Sequence, residues 1–428
     1  MSKYKEYKDS GIWWLGEIPS HWDIRKSKYL WTEIDGRSEF GSEQLLSVSQ
    51  YDGVREATEA SRSESLKGYK IVDKDDLVIN IMLAWLGGLG VSQYHGIVSP
   101  AYCVYKLIGN NNPRYLHYLY RTPLYLAEFA RHSTGIVPSR WRMYTDDFGQ
   151  VLTILPPIEE QDAMVEYLDK ATAKIDEAID QQQKMIDLLN ERKQIIIQKA
   201  VTKGLDLNAP MKDSGIEWIG DIPSHWQMFR IRYNYYLKGR IGWQGLKADE
   251  FIDAGPYLVT GTDFINCKVN WSTCYHISEK RYDEAPEIHV KIGDLLMTKD
   301  GTVGKTAYID ELPDKTSLNS HLLIIRPRKS NYCDNRFLQY LINSQVFKDF
   351  TNIYSTGSIM ASISQDKFCD FRFPLPPSEE QNAIIEFLDH NISEITNAIN
   401  SVQEVIKRLQ ERKQIIINEV VTGKVKIS

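Results

Sequence analysis

The chain has 428 residues, 42% of them hydrophobic and 25% charged, with a formal net charge of −6. That length exceeds one ordinary core and predicts two or three domains, while the composition excludes a disordered or fibrous chain. No apolar run approaches the roughly 18 residues that span a bilayer, and MSKYKEYKDSG at the start lacks the apolar core of a signal peptide, so a cytoplasmic protein with no membrane contact is expected.

Five unevenly spaced cysteines (Cys103, Cys267, Cys274, Cys333, Cys369) form no C-x-x-C pair, so reduced thiols are expected rather than a disulfide framework or a zinc site. The negative overall charge gives no global signal for nucleic acid; DNA binding would have to come from local patches.

In chain order, the motif DSGIWWLGEIPSHW (9–22) returns as DSGIEWIGDIPSHW (213–226), 204 residues later. Its Gly, Pro and Ser break regular structure and its tryptophans pin an ordered turn, which reads as a packing element. The stretch 155–204, which opens LPPIEEQ, returns without a gap as 375–424, which opens LPPSEEQ. Motif, variable region and long segment therefore occur twice, as a tandem duplication.

The first variable region, 23–154, reads as mixed α/β. LLSVSQY (45–51), DLVINIML (76–83) and AYCVYKLI (101–108) are strand-like, and PRYLHYLYRTPLYLAEFARH (113–132) predicts one or two short helices around its internal proline. Between Ala101 and Thr145, Lys106, Arg114, Arg121, Arg131, Arg140 and Arg142 face Glu128 alone, a locally basic stretch. The second variable region, 227–374, repeats the plan: YLVTGTDF (257–264), GDLLMT (293–298) and HLLIIRP (321–327) predict strands, and NRFLQYLINSQVFKDF (335–350) predicts one helix.

Both long segments carry a seven-residue apolar seam. Leu168, Ile175, Gln182, Leu189 and Ile196 recur as Leu388, Ile395, Val402, Leu409 and Ile416, the signature of a coiled coil. A globular region separates the two, so antiparallel pairing is expected, over a rod of roughly 60 Å. Gln182 either fixes register or sits at a wet edge. Ser378 with Gln381 fits a capping box, and Glu159, Glu160, Glu379 and Glu380 suit the positive ends of the helix dipoles.

Enzymatic signatures do not emerge. LPP lacks the polar first and aromatic last residues of a [DN]-P-P-[YF] methyltransferase motif, and GTVGKT (301–306) would place Lys299 at the first glycine of a phosphate loop. The histidines and carboxylates show no metal-ligand or nuclease spacing.

DSGIEWIGDIPSHW, L-P-P-x-E-E-Q at the head of a long helix, E-R-K-Q-x-I-I near its end and the duplicated layout together resemble the specificity (S) subunit of type I restriction-modification systems. The resemblance implies an α+β chain: two mixed α/β target recognition domains separated by two long helices forming an antiparallel coiled coil, a pseudo-twofold internal repeat. Its segments would be 1–154 and 205–374 for recognition, and 155–204 and 375–428 for the spacer helices.

It further implies a non-catalytic subunit that binds double-stranded DNA at a bipartite asymmetric site. Two modification (methyltransferase) subunits and the restriction (motor/nuclease) subunits would use S-adenosylmethionine, ATP and Mg2+, none of them bound by this chain. On that reading the expected DNA contacts of the first domain are Ser49, Gln50, Tyr51, Trp85, Arg140, Trp141 and Arg142. Those of the second are Arg240, Trp243, Gln244, Thr260, Thr262, Asp263, Lys299, Asp300, Thr302, Thr356 and Ser358, chosen as loop groups able to meet base edges and phosphates. The competing readings are a recognition subunit of another multisubunit restriction-modification enzyme and a coiled-coil protein-binding scaffold.

Overall fold

Short β-branched and aromatic runs pair into one four-stranded antiparallel sheet in each half of the chain. The computed structural model describes residues 2–51, 53–57, 65–137, 140–240, 245–329, 333–354 and 362–427. It divides into two units, Met1–Gln183 with Gln403–Ser428, and Lys184–Val402.

In the first unit the sheet order is Trp31–Ile34, Tyr102–Leu107, Leu77–Asn80, Leu89–Val91. In the second it is Tyr235–Lys238, Leu322–Pro327, Leu295–Thr298, Thr306–Tyr308, the same topology with every pairing antiparallel. The wholly apolar-facing strands Leu77–Asn80 and Leu295–Thr298 are buried along their length. Asp76 and Asp294 precede them, each buried, and accept the backbone N–H of Asp73 (2.9 Å) and Lys291 (2.7 Å). A separate strand pair closes each unit: Asp23–Lys26 on Leu152–Leu155, and Gln227–Arg230 on Arg372–Leu375.

Two short helices cover each sheet. Pro113–Tyr120 and Pro123–Arg131 are separated where Thr122 caps the second with its hydroxyl and Pro123 takes the first helical position. The single helix predicted over 335–350 is in fact two, Asn335–Ile342 and Gln345–Tyr354. The break falls at Asn343 and Ser344, where the Ser344 hydroxyl donates to the Leu341 carbonyl instead of leaving the helical ladder intact.

The long helices are Ile158–Lys203 and Ser378–Val421, of 46 and 44 residues, and each contributes to both units. In the first unit Met164 and Leu168 share a core with Ile417, Val420 and Val421, and further along Asp176 pairs with Lys413 at 2.7 Å. In the second, Ile197, Ala200 and Val201 share a core with Ile384, Ile385 and Leu388. The start of one helix lies beside the end of the other in each unit, so the pairing is antiparallel. Gln182 is only half-buried, as are Ile175 and Leu189, whereas Ile186 and Ile395 are buried, so the seam is only partly wet away from the cores.

The repeated words of the sequence converge at one knot in each unit. Trp22 is fully buried and donates its indole N–H to Glu160 (3.2 Å), which also takes Tyr4 OH (3.0 Å) and His21 Nε2 (2.6 Å). Gly423, just past the second long helix, adopts φ 75, and a Cβ there would lie 2.5 Å from Pro19 Cδ and 2.8 Å from the Trp22 ring. The second unit repeats this with Trp226 donating to Glu380 (3.0 Å), His225 at 2.8 Å, and Gly204 at φ 73 with a would-be Cβ 3.1 Å from the Trp226 ring. Only glycine can both turn left-handed after the helix and admit the indole. Glu160 and Glu380 thus do more than meet the helix dipole: they bind the opening motif to the helix.

Candidate nucleic-acid interface

In the first unit the side chain of Arg121, at the end of a short helix, gathers two loops. Its Nη1 donates to the Gly87 (2.8 Å) and Leu89 (2.7 Å) carbonyls and its Nη2 to those of Gln50 (3.1 Å) and Tyr51 (2.5 Å). The loop at Gln50–Tyr51 is thereby laid against the turn carrying Trp85; a Cβ at Gly87 would meet the Gln50 carbonyl at 2.9 Å.

Trp85 in turn packs edge-on against Trp141, ring centroids 5.3 Å apart. Trp141 lies beside a bridge in which Thr134 and Arg142 exchange both backbone hydrogen bonds at 2.9 Å, and the Met143 N–H donates to the Ile81 carbonyl. Gln50, Tyr51, Trp85, Trp141 and Arg142 therefore form one continuous surface. Tyr51 is 80% exposed, Arg140 is exposed, and Arg142 is half-exposed with its Nη1 on the Arg140 carbonyl (3.3 Å). Ser49 ends the strand that leads into this loop.

Below the loops, the half-buried His117 accepts the Val91 N–H at Nδ1 (3.1 Å). Burial, with Arg121 and Arg114 nearby, pushes its pKa down to about 3, so it stays neutral. The basic stretch read from the sequence is largely spent internally: Arg114 pairs with Asp169 (2.8 Å), Arg131 with Glu128 (2.6 Å), and Arg121 holds the loops. Beside the loops, a cleft of about 820 Å³ is lined by Tyr51, Arg121, His117 and the helix residues Asp176 and Lys413.

In the second unit the turn Thr260–Asp263 rests on the turn after Leu295–Thr298. Lys305 Nζ donates to the Gly261 carbonyl (3.0 Å), and a Cβ at Gly261 would meet Thr298 Cγ2 at 2.8 Å. This brings Thr260, Thr262, Lys299, Asp300 and Thr302 together, with Thr262 and Thr302 exposed. Asp300 accepts from His321 Nδ1 at 2.8 Å, and the Lys299 carbonyl takes the Ile363 N–H.

Two expected contacts face inward here and are corrected. Asp263 is buried and binds the Thr260 N–H and hydroxyl (both 2.8 Å) and the Thr273 hydroxyl (2.8 Å), so its charge organises the turn. Arg240 is buried, donating to the Leu318 carbonyl (2.8 Å) and Ser317 Oγ (2.9 Å), and burial beside Arg281 pulls its pKa down to about 10. Polar residues between strands look alike in a sequence whether they face water or fold back on the backbone. Trp243, Gln244, Thr356 and Ser358 lie outside the described residues.

Sequence reasoning passed over the supports. R-[YF]-L-x-Y-L occurs at Arg114–Leu119 and again at Arg336–Leu341, and that repetition was the available signal. Tyr118 OH donates to Asp169 (2.6 Å) beside Arg114; Arg336 and Tyr340 both bind Asp389. Gln381, expected in a capping box, and its counterpart Gln161 instead reach across: each accepts the backbone N–H ahead of a short helix, of Asp334 (2.9 Å) and Asn112 (2.8 Å), and donates to its own Pro376 or Pro156 carbonyl (2.8 Å).

Among the described residues no group of three or more His, Cys, Asp or Glu could hold a metal ion, and no helix is long and apolar enough to cross a membrane. One scaffold built twice, each copy carrying loops of its own chemistry, defines a tandem-repeat protein of α+β fold.

Residues 244–405 match the family model described as type I restriction modification DNA specificity domain. The type I restriction enzyme MjaVIII specificity subunit of Methanocaldococcus jannaschii is 25% identical over 286 residues, 65% of this chain and 63% of that protein, so the match spans less than two thirds of that relative. A second protein of that organism, provisionally assigned as the type I restriction enzyme MjaX specificity subunit, is 24% identical over 96% of each chain. A chain from a solved structure concerned with complex assembly and conformational transition of the type I R-M system superposes with a TM-score of 0.68 at 16% identity, over 95% of this chain and 99% of that one, and shows the same fold. The chain is thus similar to type I restriction-modification specificity subunits, and residues 244–405 match their DNA specificity domain.

Proposed function

We propose that the chain binds double-stranded DNA sequence-specifically, with residues 1–154 and 205–374 as two target recognition domains that read the two halves of a bipartite asymmetric site. It is non-catalytic on this reading. The long helices, 155–204 and 375–428, offer the docking surface for two modification subunits, and methyl transfer from S-adenosylmethionine and ATP- and Mg2+-dependent restriction belong to the partners. Type I restriction enzyme specificity subunits among its relatives support this reading.

The observation that carries it is the pairing of one support with two surfaces. The sheets share strand order and both units are tied by the same knot, yet corresponding loops such as IMLAWLGG and KDGTVGK differ in chemistry. A fold that keeps its frame and varies its loops is suited to reading two different targets.

Exchanging residues 23–154 for the matching region of another specificity subunit, followed by sequencing of methylated sites in a host carrying the system, tests it. One half of the site should change and the other stay. Change in both halves would sink the two-reader assignment, and absence of any sequence preference would return the chain to the scaffold reading.

A further inference from the structure

The turn between the third and fourth strands of the sheet order differs in chemistry between the units. In the second unit it reads KDGTVGK; in the first it reads IMLAWLGG. Met82, Leu83 and Leu86 on that first turn are 40%, 38% and 40% exposed. Apolar side chains clustered on a protruding turn are an unusual surface to leave in water, and one that marks a binding site.

This turn is rigidly held. Met82 N–H donates to Asn80 Oδ1 (3.1 Å), Gly88 N–H to the Leu83 carbonyl (2.8 Å) and Trp85 Nε1 to the Met82 carbonyl (3.2 Å). Arg121 clamps the far side through Gly87 and Leu89. The Trp85–Trp141 contact continues the patch directly to Arg142 and Arg140, whose charges suit phosphates beside an apolar centre.

We propose that Met82, Leu83 and Leu86 form an apolar wedge that enters the duplex at one base step of the first half-site, unstacking it. The inference rests on the DNA-binding reading given above. It makes the first unit a reader of DNA deformability, and the occupant of the patch is duplex DNA because arginines flank it and the loop of Gln50 and Tyr51 adjoins it. Leucine and methionine wedges act in this way where they interrupt a base stack, and a step that is easy to unstack is then favoured.

The full chain alone is titrated against duplexes carrying a single mismatch placed in turn at every step of the first half-site, taken from the methylated-site sequence. Unstacking costs a few kcal/mol per step, so a mismatch at the wedged step should tighten binding about tenfold or more. Met82→Ala with Leu83→Ala and Leu86→Ala should abolish that preference, and a mismatch series across the second half-site should be the same for both proteins. Because the Leu83 Cβ packs at Gly88, alanine keeps that contact; Met82→Gln with Leu86→Gln, which leaves Leu83 in place, is the second variant.

Specific binding with no responsive step overturns the wedge and leaves the DNA-binding reading standing. A preference that survives both variants also overturns it, as does weakening by thymine-to-uracil replacement alone, which would mean methyl contact in the groove, or DNA binding indifferent to both variants, which would assign the patch to a protein. Failure to distinguish any duplex from random sequence defeats the DNA-binding reading itself.

Discussion

The two units part company along one face of one short helix. His117 and Arg121 in the first correspond to Gln339 and Asn343 in the second, in the matched frame that aligns Arg114 with Arg336. Arg121 reaches four carbonyls in two loops, whereas Asn343 reaches Thr306 Oγ1 at 2.9 Å and Gln339 reaches the Cys267 carbonyl at 3.0 Å. The adjoining positions of the same helix are constant, with Arg114 and Tyr118 or Arg336 and Tyr340 on a helix carboxylate. A new loop surface therefore needs new supports beneath it, and the helix supplies these without disturbing its attachment.

If the frames are equivalent, breaking the knots should cost both units alike. Trp22→Ala and Trp226→Ala each remove a fully buried indole and one donor to Glu160 or Glu380, for a loss of about 3–5 kcal/mol in each case. Hydrogen exchange resolved by segment measures this, and a loss confined to one of the variants would break the equivalence.

The supports should then show the difference. Arg121→Ala strips a charged donor from four carbonyls and should weaken the loops at 49–51 and 83–89 by about 2–3 kcal/mol, while Asn343→Ala, with neutral bonds, should cost about 1 kcal/mol. Faster exchange in those loops, with the second unit unchanged by Arg121→Ala, is the expected result.

Acid should separate the units further. His117 is held at about 3 when folded against an ordinary value of 6.5, so the unfolded chain takes up a proton that the folded unit refuses. The stability that neutral His117 contributes is fully present above pH 6.5 and is lost as pH falls toward 3, by about 1.4 kcal/mol per unit. Gln339 does not titrate. Between pH 7 and 5 the first unit should open more readily than the second, and His117→Gln should flatten that dependence; equal opening of both units would contradict it.

On DNA, Arg140→Ala with Arg142→Ala should weaken binding at the first half-site and flatten the salt dependence of log K by about 1.8 if both meet phosphates, since each contact releases about 0.9 counterion. An unchanged slope would place both side chains away from the backbone.

Much of this was legible beforehand, for reasons that particular residues show. DLVINIML and GDLLMT announced strands because continuous β-branched and aliphatic runs have few other homes, and the doubled seam announced antiparallel helices. Reading Arg240 and Asp263 as ligand-facing failed because composition reports a polar group and not its direction; only the packed loop shows that their partners are Leu318 and Thr260. Arg121 was visible as a charge and invisible as a clamp, since its four acceptors are backbone carbonyls, which any sequence supplies. The split helix at Asn343 was hidden because Leu, Ile and Val continue the helical period straight through it.

The smallest difference lies on the long helices themselves. Lys413 spans to both carboxylate oxygens of Asp176 at 2.7 Å in the first unit. The corresponding positions in the second unit, 220 residues away in each direction, are Lys193 and Thr396, so the cation is repeated and its carboxylate is not. Asp176 is about half exposed, which lets water and salt screen the pair, and its contribution should be about 0.5 kcal/mol. A double-mutant cycle of Lys413→Ala and Asp176→Ala should return that coupling at low salt and almost none at 1 M, where the screening length shrinks to about 3 Å. Introducing Thr396→Asp should create a similar coupling to Lys193 if the two halves of the helix pair share one register. A coupling in the first unit with none in the engineered second would show that the repeated seam sets the same direction of pairing in both units but not the same register.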